Sequence, residues 1–289
     1  MSEKTCLVTG ATSGIGYETA LGLARMGARV IGVGRSAERC AAAQDAIVTA
    51  TGNREVSFET ADLSSQEAIR GLGSRVRGAV EGLDVLVNNA GTFTGRRRLS
   101  ADGIELQLAV NFLAPFHLTH VLMPLLERPA DARVVTLSSG SHFGAKPHWL
   151  DLGLGGPYFG LRAYGYTKLA SIYFTFELAR RMGEGSRLTT FAVDPGLVNT
   201  EMGMKDAGFL VRWIWNNRRK TGSTPEEGAR TSLFVASDPA APLDTGRYWK
   251  SCTPVPSSPE SQDPVAAKQL WTLAERLCGI PQGTWGRQA

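Results

Sequence analysis

Cysteine is scarce and unpatterned in this chain. Only Cys6, Cys40, Cys252 and Cys278 occur in 289 residues, with no CxxC pair. That spacing argues against a disulfide framework and against thiolate metal centres, and it leads us to expect reduced thiols in a cytoplasmic protein. His117 and His120 share a helix face without an acidic or thiol neighbour, so ordinary packing, not a metal ion, is expected there. Charge of one sign is also lacking: 31 Lys and Arg stand against 27 Asp and Glu, a net +4 with no basic motif, and nucleic acid is not an expected partner. The chain runs from MSEKT straight into a strand-like segment without an apolar leader, and no stretch is expected to reach the roughly 18 apolar residues of a spanning helix. There is no GxSxG elbow, which excludes a serine hydrolase of the α/β-hydrolase type.

What is present is a repeating order. The 43% hydrophobic and 20% charged composition suits one sizeable core. β-rich apolar runs at Cys6–Val8, Val30–Val33, Val56–Phe58, Val85–Val87, Val134–Leu137 and Thr189–Val193 alternate with helical patterns. Alternation of this kind predicts an α/β fold, a doubly wound parallel sheet of about seven strands with helices on both faces, in a single domain.

The first strand and helix enclose "TGATSGIG". Gly10, Gly14 and Gly16, with Thr12, Ser13 and Ile15 between them, form a small-residue turn whose backbone amides can approach a pyrophosphate at the helix N-terminus. Arg35 follows strand two, where a cation suits a ribose 2′-phosphate and an acid would suit a free 2′-hydroxyl; NADP(H) is therefore expected over NAD(H). Asp62 and Leu63 follow strand three, at the height of the adenine. Asn89, Ala90 and Gly91 end strand four at the carboxyl edge, where ligands bind such sheets.

Strand five delivers Ser138 and Ser139 to the same edge. In "AYGYTK", Tyr164 and Lys168 lie one helical turn apart while Tyr166 points nearly the opposite way, so only Tyr164 shares a site with Lys168. An ammonium there is expected to pull the phenol pKa down. Residues 102–127 read as one long helix in which Pro115, lacking an amide hydrogen, leaves the Asn111 carbonyl free to hold a water that links Lys168 to solvent.

These residues carry a resemblance. TGATSGIG, the NNAG of Asn88 to Gly91, Asn111, the serine pair, "YGYTKLASIYFTFELARRM", "DPGLVNTEM", "STPEEGARTSLF" and the tail "AAKQLWTLAERLCG" together resemble the short-chain dehydrogenase/reductase superfamily over nearly the whole chain, and more narrowly its retinol-dehydrogenase-like branch. The resemblance implies a tetrad in which Tyr164 is the acid/base, Lys168 binds the nicotinamide ribose, Ser139 rather than Ser138 positions the substrate carbonyl, and Asn111 holds a relay water. It also implies that Pro195, Gly196, Val198 and Thr200 wrap the nicotinamide end, and that the chain forms a homodimer or homotetramer through its long helices. Residues 1–200 are read as the cofactor-binding and catalytic core, 201–223 as a substrate lid and 224–289 as C-terminal helices and tail. The aromatic lid stretch "GFLVRWIWNNRRK" and the long loop after Ser139 imply a bulky apolar small-molecule substrate; the lid could instead rest on a membrane surface, a lesser expectation. The run Arg96 to Arg98 is read as solvated charge. The implied activity interconverts an alcohol and an aldehyde or ketone, and the rival reading is a non-enzymatic NADP(H)-sensing regulator on the same fold.

Overall fold

The computed structural model describes residues 1–146, 157–183, 185–199, 222–239, 241 and 245–285. Chain order is β1 (Thr5–Thr9), α1 (Gly14–Arg25), β2 (Arg29–Gly34), α2 (Ala37–Thr51), β3 (Val56–Thr60), α3 (Gln66–Ala79), β4 (Val85–Asn88), α4 (Leu106–Leu126), β5 (Ala132–Leu137), α5 (Gly160–Met182), β6 (Leu188–Asp194), α6 (Pro225–Ser237), β7 (Arg247–Lys250), β8 (Thr253–Pro254) and α7 (Pro264–Cys278). The strands form one sheet of order β3-β2-β1-β4-β5-β6-β7-β8. All pairings are parallel except the last, where β8 folds back on β7. Eight strands thus replace the expected seven or so, because β7 and β8 are too short and polar to give an apolar run.

Alternation along each strand builds two cores. Leu7 and Ile31 face α3, α4, α5 and α7, while Cys6, Val8 and Val30 face α1 and α6. A strand buried on both faces must be apolar at successive positions, which is why "CLV" and "VIGV" read as runs and not as alternations. The strand order reverses between β1 and β4, and that switch point opens a crevice at the carboxyl edge.

Two expectations about α4 are corrected. By length and composition Leu106–Leu126, with mean hydropathy 1.4, is apolar enough to cross a bilayer, although 78% of its most apolar window is buried inside this fold. It is apolar nearly all round because it is wrapped by its own chain. The helix is also not uniform: it begins at Glu105, whose carboxylate accepts from the amides of Gln107 and Leu108, and passes through a π-helical turn at Ala109–Leu113. Pro115 cannot supply the amide that would continue the ordinary register, and the chain widens there.

The last helix follows its sequence signals. Asp263 accepts from the amides of Val265 and Ala266, Pro264 takes the first position and Gly279 closes the helix in the left-handed region at φ +65°. α7 lays Trp271 against Phe116 of α4 and Phe174 of α5, and Trp285 beyond it packs at a tilt against Phe116 and His120. His120 is therefore packed as expected, and His117 bonds the Gln66 side chain through Nδ1. Arg97 lies over the Tyr158 ring at 5.7 Å, whereas Arg96 and Arg98 are exposed.

Candidate active site

The glycine turn is built by steric demand. Gly10 and Gly14 adopt φ of +67° and +58°, which L side chains rarely tolerate. A Cβ on Gly16 would meet the Gly10 carbonyl oxygen at 2.3 Å and the Asn89 side-chain Nδ2 at 2.3 Å. Asn89 in turn donates to the Thr9 carbonyl at 2.7 Å, and the Thr9 hydroxyl accepts from the amides of Asn89 and Ala90, both at 3.0 Å. The ends of β1 and β4 are thereby locked around the crevice.

The helix that follows is open at its start. Ser13 makes no side-chain cap on α1, and no acidic residue stands in its first turn, whereas α2, α3, α6 and α7 are each capped by their own Ser, Thr or Asp. Free first-turn amides behind a turn with no room for side chains fit a dinucleotide pyrophosphate. Gly16→Ala is accordingly expected to cost about 1–3 kcal/mol of stability by overpacking and to lose nucleotide affinity at least tenfold, readable as a lower Tm and as loss of nucleotide-induced stabilisation.

Arg35 is exposed one residue past β2, beside this turn. Asp62 is exposed past β3, its carboxylate accepting from the amide and hydroxyl of Ser64, while Leu63 is buried. Ile15 and Val198 are buried in one cluster, and Gly228 leaves room for Val198. Gly196 donates its amide to Asp194 at 2.9 Å in a left-handed turn at φ +77°, with Pro195 before it. Residues 197–199 pair with Ser223. Thr200, most of the 201–223 lid with its Phe209 to Lys220 stretch, and residues 147–156 of the loop after Ser139 lie outside the described residues.

The tetrad positions converge where α4, β5 and α5 meet. Tyr164 is 8% exposed and packs edge-on against Phe93, with ring centroids 6.0 Å apart. Lys168 Nζ lies 5.6 Å from the Tyr164 ring centroid. Tyr166 turns away, holding the Arg162 guanidinium to its hydroxyl and over its ring, so the helical-face reasoning agrees with the placement. The two serines part in the same way: Ser138 is buried and donates to the Lys168 carbonyl at 2.8 Å, while the Ser139 hydroxyl, close enough to the Tyr164 phenol to act on it, donates to Ser141 Oγ at 3.3 Å and accepts from the Ser141 amide at 3.2 Å.

Electrostatics correct one expectation. The Tyr164 phenol is pushed up, not down: burial is the main cause, the Asp194 carboxylate adds to it, and the Ser139 hydroxyl pulls the other way. Lys168 does not acidify it because the ammonium faces the Leu137 carbonyl, to which Nζ donates at 2.8 Å. Burial lowers the lysine pKa to about 8, with Asp194 opposing.

Asn111 departs from expectation too. Its carbonyl is not bare, for the Ser171 hydroxyl reaches it at 3.3 Å while lying 3.0 Å from the Thr167 carbonyl. The small Ser171 side chain lets α5 pack close enough to face that carbonyl. The Asn111 side chain is a clamp: Oδ1 accepts from the Thr92 amide at 2.7 Å, and Nδ2 donates to the Thr92 carbonyl at 3.0 Å and the Thr167 hydroxyl at 3.1 Å. It holds the loop after Gly91 against α5.

Sequence reasoning missed Asp194 as a site residue. It is 3% exposed at the end of β6, accepts from the Tyr248 hydroxyl at 2.9 Å, and stands 3.5 Å from Lys250 Nζ. A lone carboxylate closing an apolar strand was the available signal.

Comparisons with known proteins place the chain by family and fold. The family model described as short chain dehydrogenase matches residues 4–208. Retinol dehydrogenase 11 of Homo sapiens is 37% identical over 278 residues, covering 96% of this chain and 86% of that one. A solved structure of an uncharacterized protein from Mycobacterium paratuberculosis superposes with a TM-score of 0.78 at 31% identity, covering 96% and 94%. The Pseudomonas aeruginosa RhlG/NADP active-site complex does so with a TM-score of 0.67 at 28% identity, covering 87% of this chain and 95% of that one.

Proposed function

The chain belongs to the short-chain dehydrogenase family, and on that footing we propose that it is an NADP(H)-dependent oxidoreductase interconverting an alcohol and an aldehyde or ketone on a bulky apolar substrate. One observation carries the reading: a buried phenol, Tyr164, shares a face of α5 with the Lys168 ammonium, which lies 5.6 Å from its ring centroid and beside Gly91, three residues past β4. A nucleotide sensor needs no such proton donor.

When bound, the cofactor supplies or accepts the hydride. The chain does the rest. The glycine turn and α1 hold the pyrophosphate, Arg35 meets the 2′-phosphate, and Asn89, Ala90, Gly91, Pro195, Gly196 and Val198 frame the nicotinamide side. Ser139 orients the substrate oxygen by hydrogen bonding. Tyr164, fully protonated near neutrality because burial raises its pKa, donates its proton to that oxygen in reduction and takes one back in oxidation. Lys168, its ammonium 5.6 Å from the Tyr164 ring centroid, would hold the nicotinamide ribose.

Likeness to a retinol dehydrogenase supports an extended apolar substrate, and the NADP complex of a relative supports the choice of phosphate-bearing cofactor. The four free thiols, three of them buried, support a cytoplasmic location. Homodimer or homotetramer formation through the long helices must accommodate α7 and Trp285, which already cover part of α4 and α5; light scattering of the purified chain reads the outcome.

The test is loss of NADPH absorbance with a panel of carbonyls running from small aliphatics to retinal and steroids, with NADH in parallel. Rates that rise with apolar bulk and favour NADPH support the reading; silence with both cofactors across the panel would return weight to the sensor. Arg35→Asp is expected to raise the KM for NADPH about tenfold or more, about 1.4 kcal/mol, while improving NADH, measured as the ratio of kcat/KM values. An unchanged ratio would remove Arg35 from the site.

A further inference from the structure

His142 lies in a short 3₁₀ turn at Gly140–His142, directly after Ser139, and its side chain is fully buried. Both ring nitrogens are engaged. Nδ1 stands 2.7 Å from the Ser139 carbonyl oxygen, and Nε2 stands 3.0 Å from the Ser258 amide nitrogen. A carbonyl only accepts and an amide only donates, so the ring is fixed as the neutral tautomer with its hydrogen on Nδ1. The ring packs edge-to-face with Tyr248, centroids 4.9 Å apart, and the Tyr248 hydroxyl bonds Asp194, the carboxylate that acts on both Tyr164 and Lys168.

The turn has no slack on its other side. A Cβ at Gly165, the residue after Tyr164, would meet the Ser141 carbonyl oxygen at 2.8 Å. Ser139 is thus held between α5 and the imidazole. Ser258 begins the segment Pro259–Gln262 that leads into α7, and Ser261 donates back to the Ser258 carbonyl.

We propose that His142 is a positioning residue: as a neutral imidazole it seats the backbone of Ser139, and so the Ser139 hydroxyl against Tyr164, while its second nitrogen anchors the 257–262 loop to the same turn. The kinetic part of this inference rests on the oxidoreductase reading above, and the tautomer part does not. A small displacement of a positioning group costs up to about 10²-fold in rate without any loss of contact to the cofactor.

Two conservative variants separate the arms. His142→Asn keeps a donor near the Nδ1 position and loses the acceptor for Ser258; His142→Gln keeps an acceptor near Nε2 and loses the donor to Ser139. His142→Gln is expected to lower kcat tenfold or more with NADPH affinity unchanged, and His142→Asn to retain kcat within about threefold while lowering Tm. Equal kcat in both variants and the natural protein, with only Tm affected, would reduce His142 to a packing residue and overturn the proposal. Nitrogen-detected NMR of the ring at neutral pH gives a reading independent of turnover: a protonated Nδ1 and bare Nε2 are expected, and a hydrogen on Nε2 would overturn the proposal even if the protein reduced no carbonyl at all. Absence of turnover in the natural protein together with the expected tautomer would count against the oxidoreductase reading and leave the histidine's anchoring role supported.

Discussion

Tyr164→Phe is expected to lower carbonyl reduction about 10²- to 10⁴-fold, the contribution of a well-placed proton donor. Folding should be nearly untouched. The ring contact with Phe93 survives the substitution, and the lost hydroxyl is one whose charged form burial already disfavours. NADPH binding should persist, because the glycine turn, Arg35 and the β4 end are unaltered. Tyr166→Phe is the control: it removes only the hydroxyl that meets Arg162, leaves the half-buried ring in place, and should change rate and stability little, within about 0.5 kcal/mol. Steady-state kinetics and thermal melts of the two variants check this, and equal losses in both would sink the assignment of Tyr164.

Lys168→Met should separate activity from stability more sharply still. Turnover is expected to fall at least 10²-fold, as the ammonium that would position the nicotinamide ribose is lost. Stability near neutral pH should hold or rise. Burial lowers the lysine pKa from 10.5 to about 8, so carrying that charge into the fold costs on the order of 3 kcal/mol, against which stands the orphaned Leu137 carbonyl in the variant, at about 1–3 kcal/mol. The sign fixes a pH window. A lysine whose folded pKa lies below its unfolded value binds fewer protons folded than unfolded between the two, so its penalty is complete below pH 8 and fades toward 10.5. The natural protein should therefore become more stable relative to the Lys168→Met variant as pH rises from 8 to 10. Taking the difference between the two proteins matters, because the buried thiols Cys6 and Cys278, raised to about 12, oppose that trend equally in both. Denaturant midpoints across this range measure it, and a difference flat with pH would mean that the lysine is not buried as a titrating group.

Local arithmetic carried a good deal of this protein. Strand runs, the order of elements, the caps on α7 and the facing of Tyr164 with Lys168 all follow from periodicities of 2 and 3.6 and from the special backbones of glycine and proline, and they needed nothing beyond neighbouring residues. The steric crowding at Gly10 and Gly16 likewise matches what the spacing of small residues implies. Charge was different. Whether Lys168 acidifies Tyr164 depends on where its ammonium turns and on how much water surrounds the phenol, and both are set by β5 and β6, strands more than 20 residues away in sequence. The Asn111 carbonyl is faced by Ser171 only because α4 and α5 pack side by side. Asp194, Tyr248 and His142 come together from three separate segments, and no motif spans them. Sequence by itself determined the sheet, the turn and the residues that could do chemistry, since those are properties of the chain over one or two turns. Tertiary structure alone decided their protonation and their partners, because desolvation and hydrogen bonding are properties of everything that closes around a side chain.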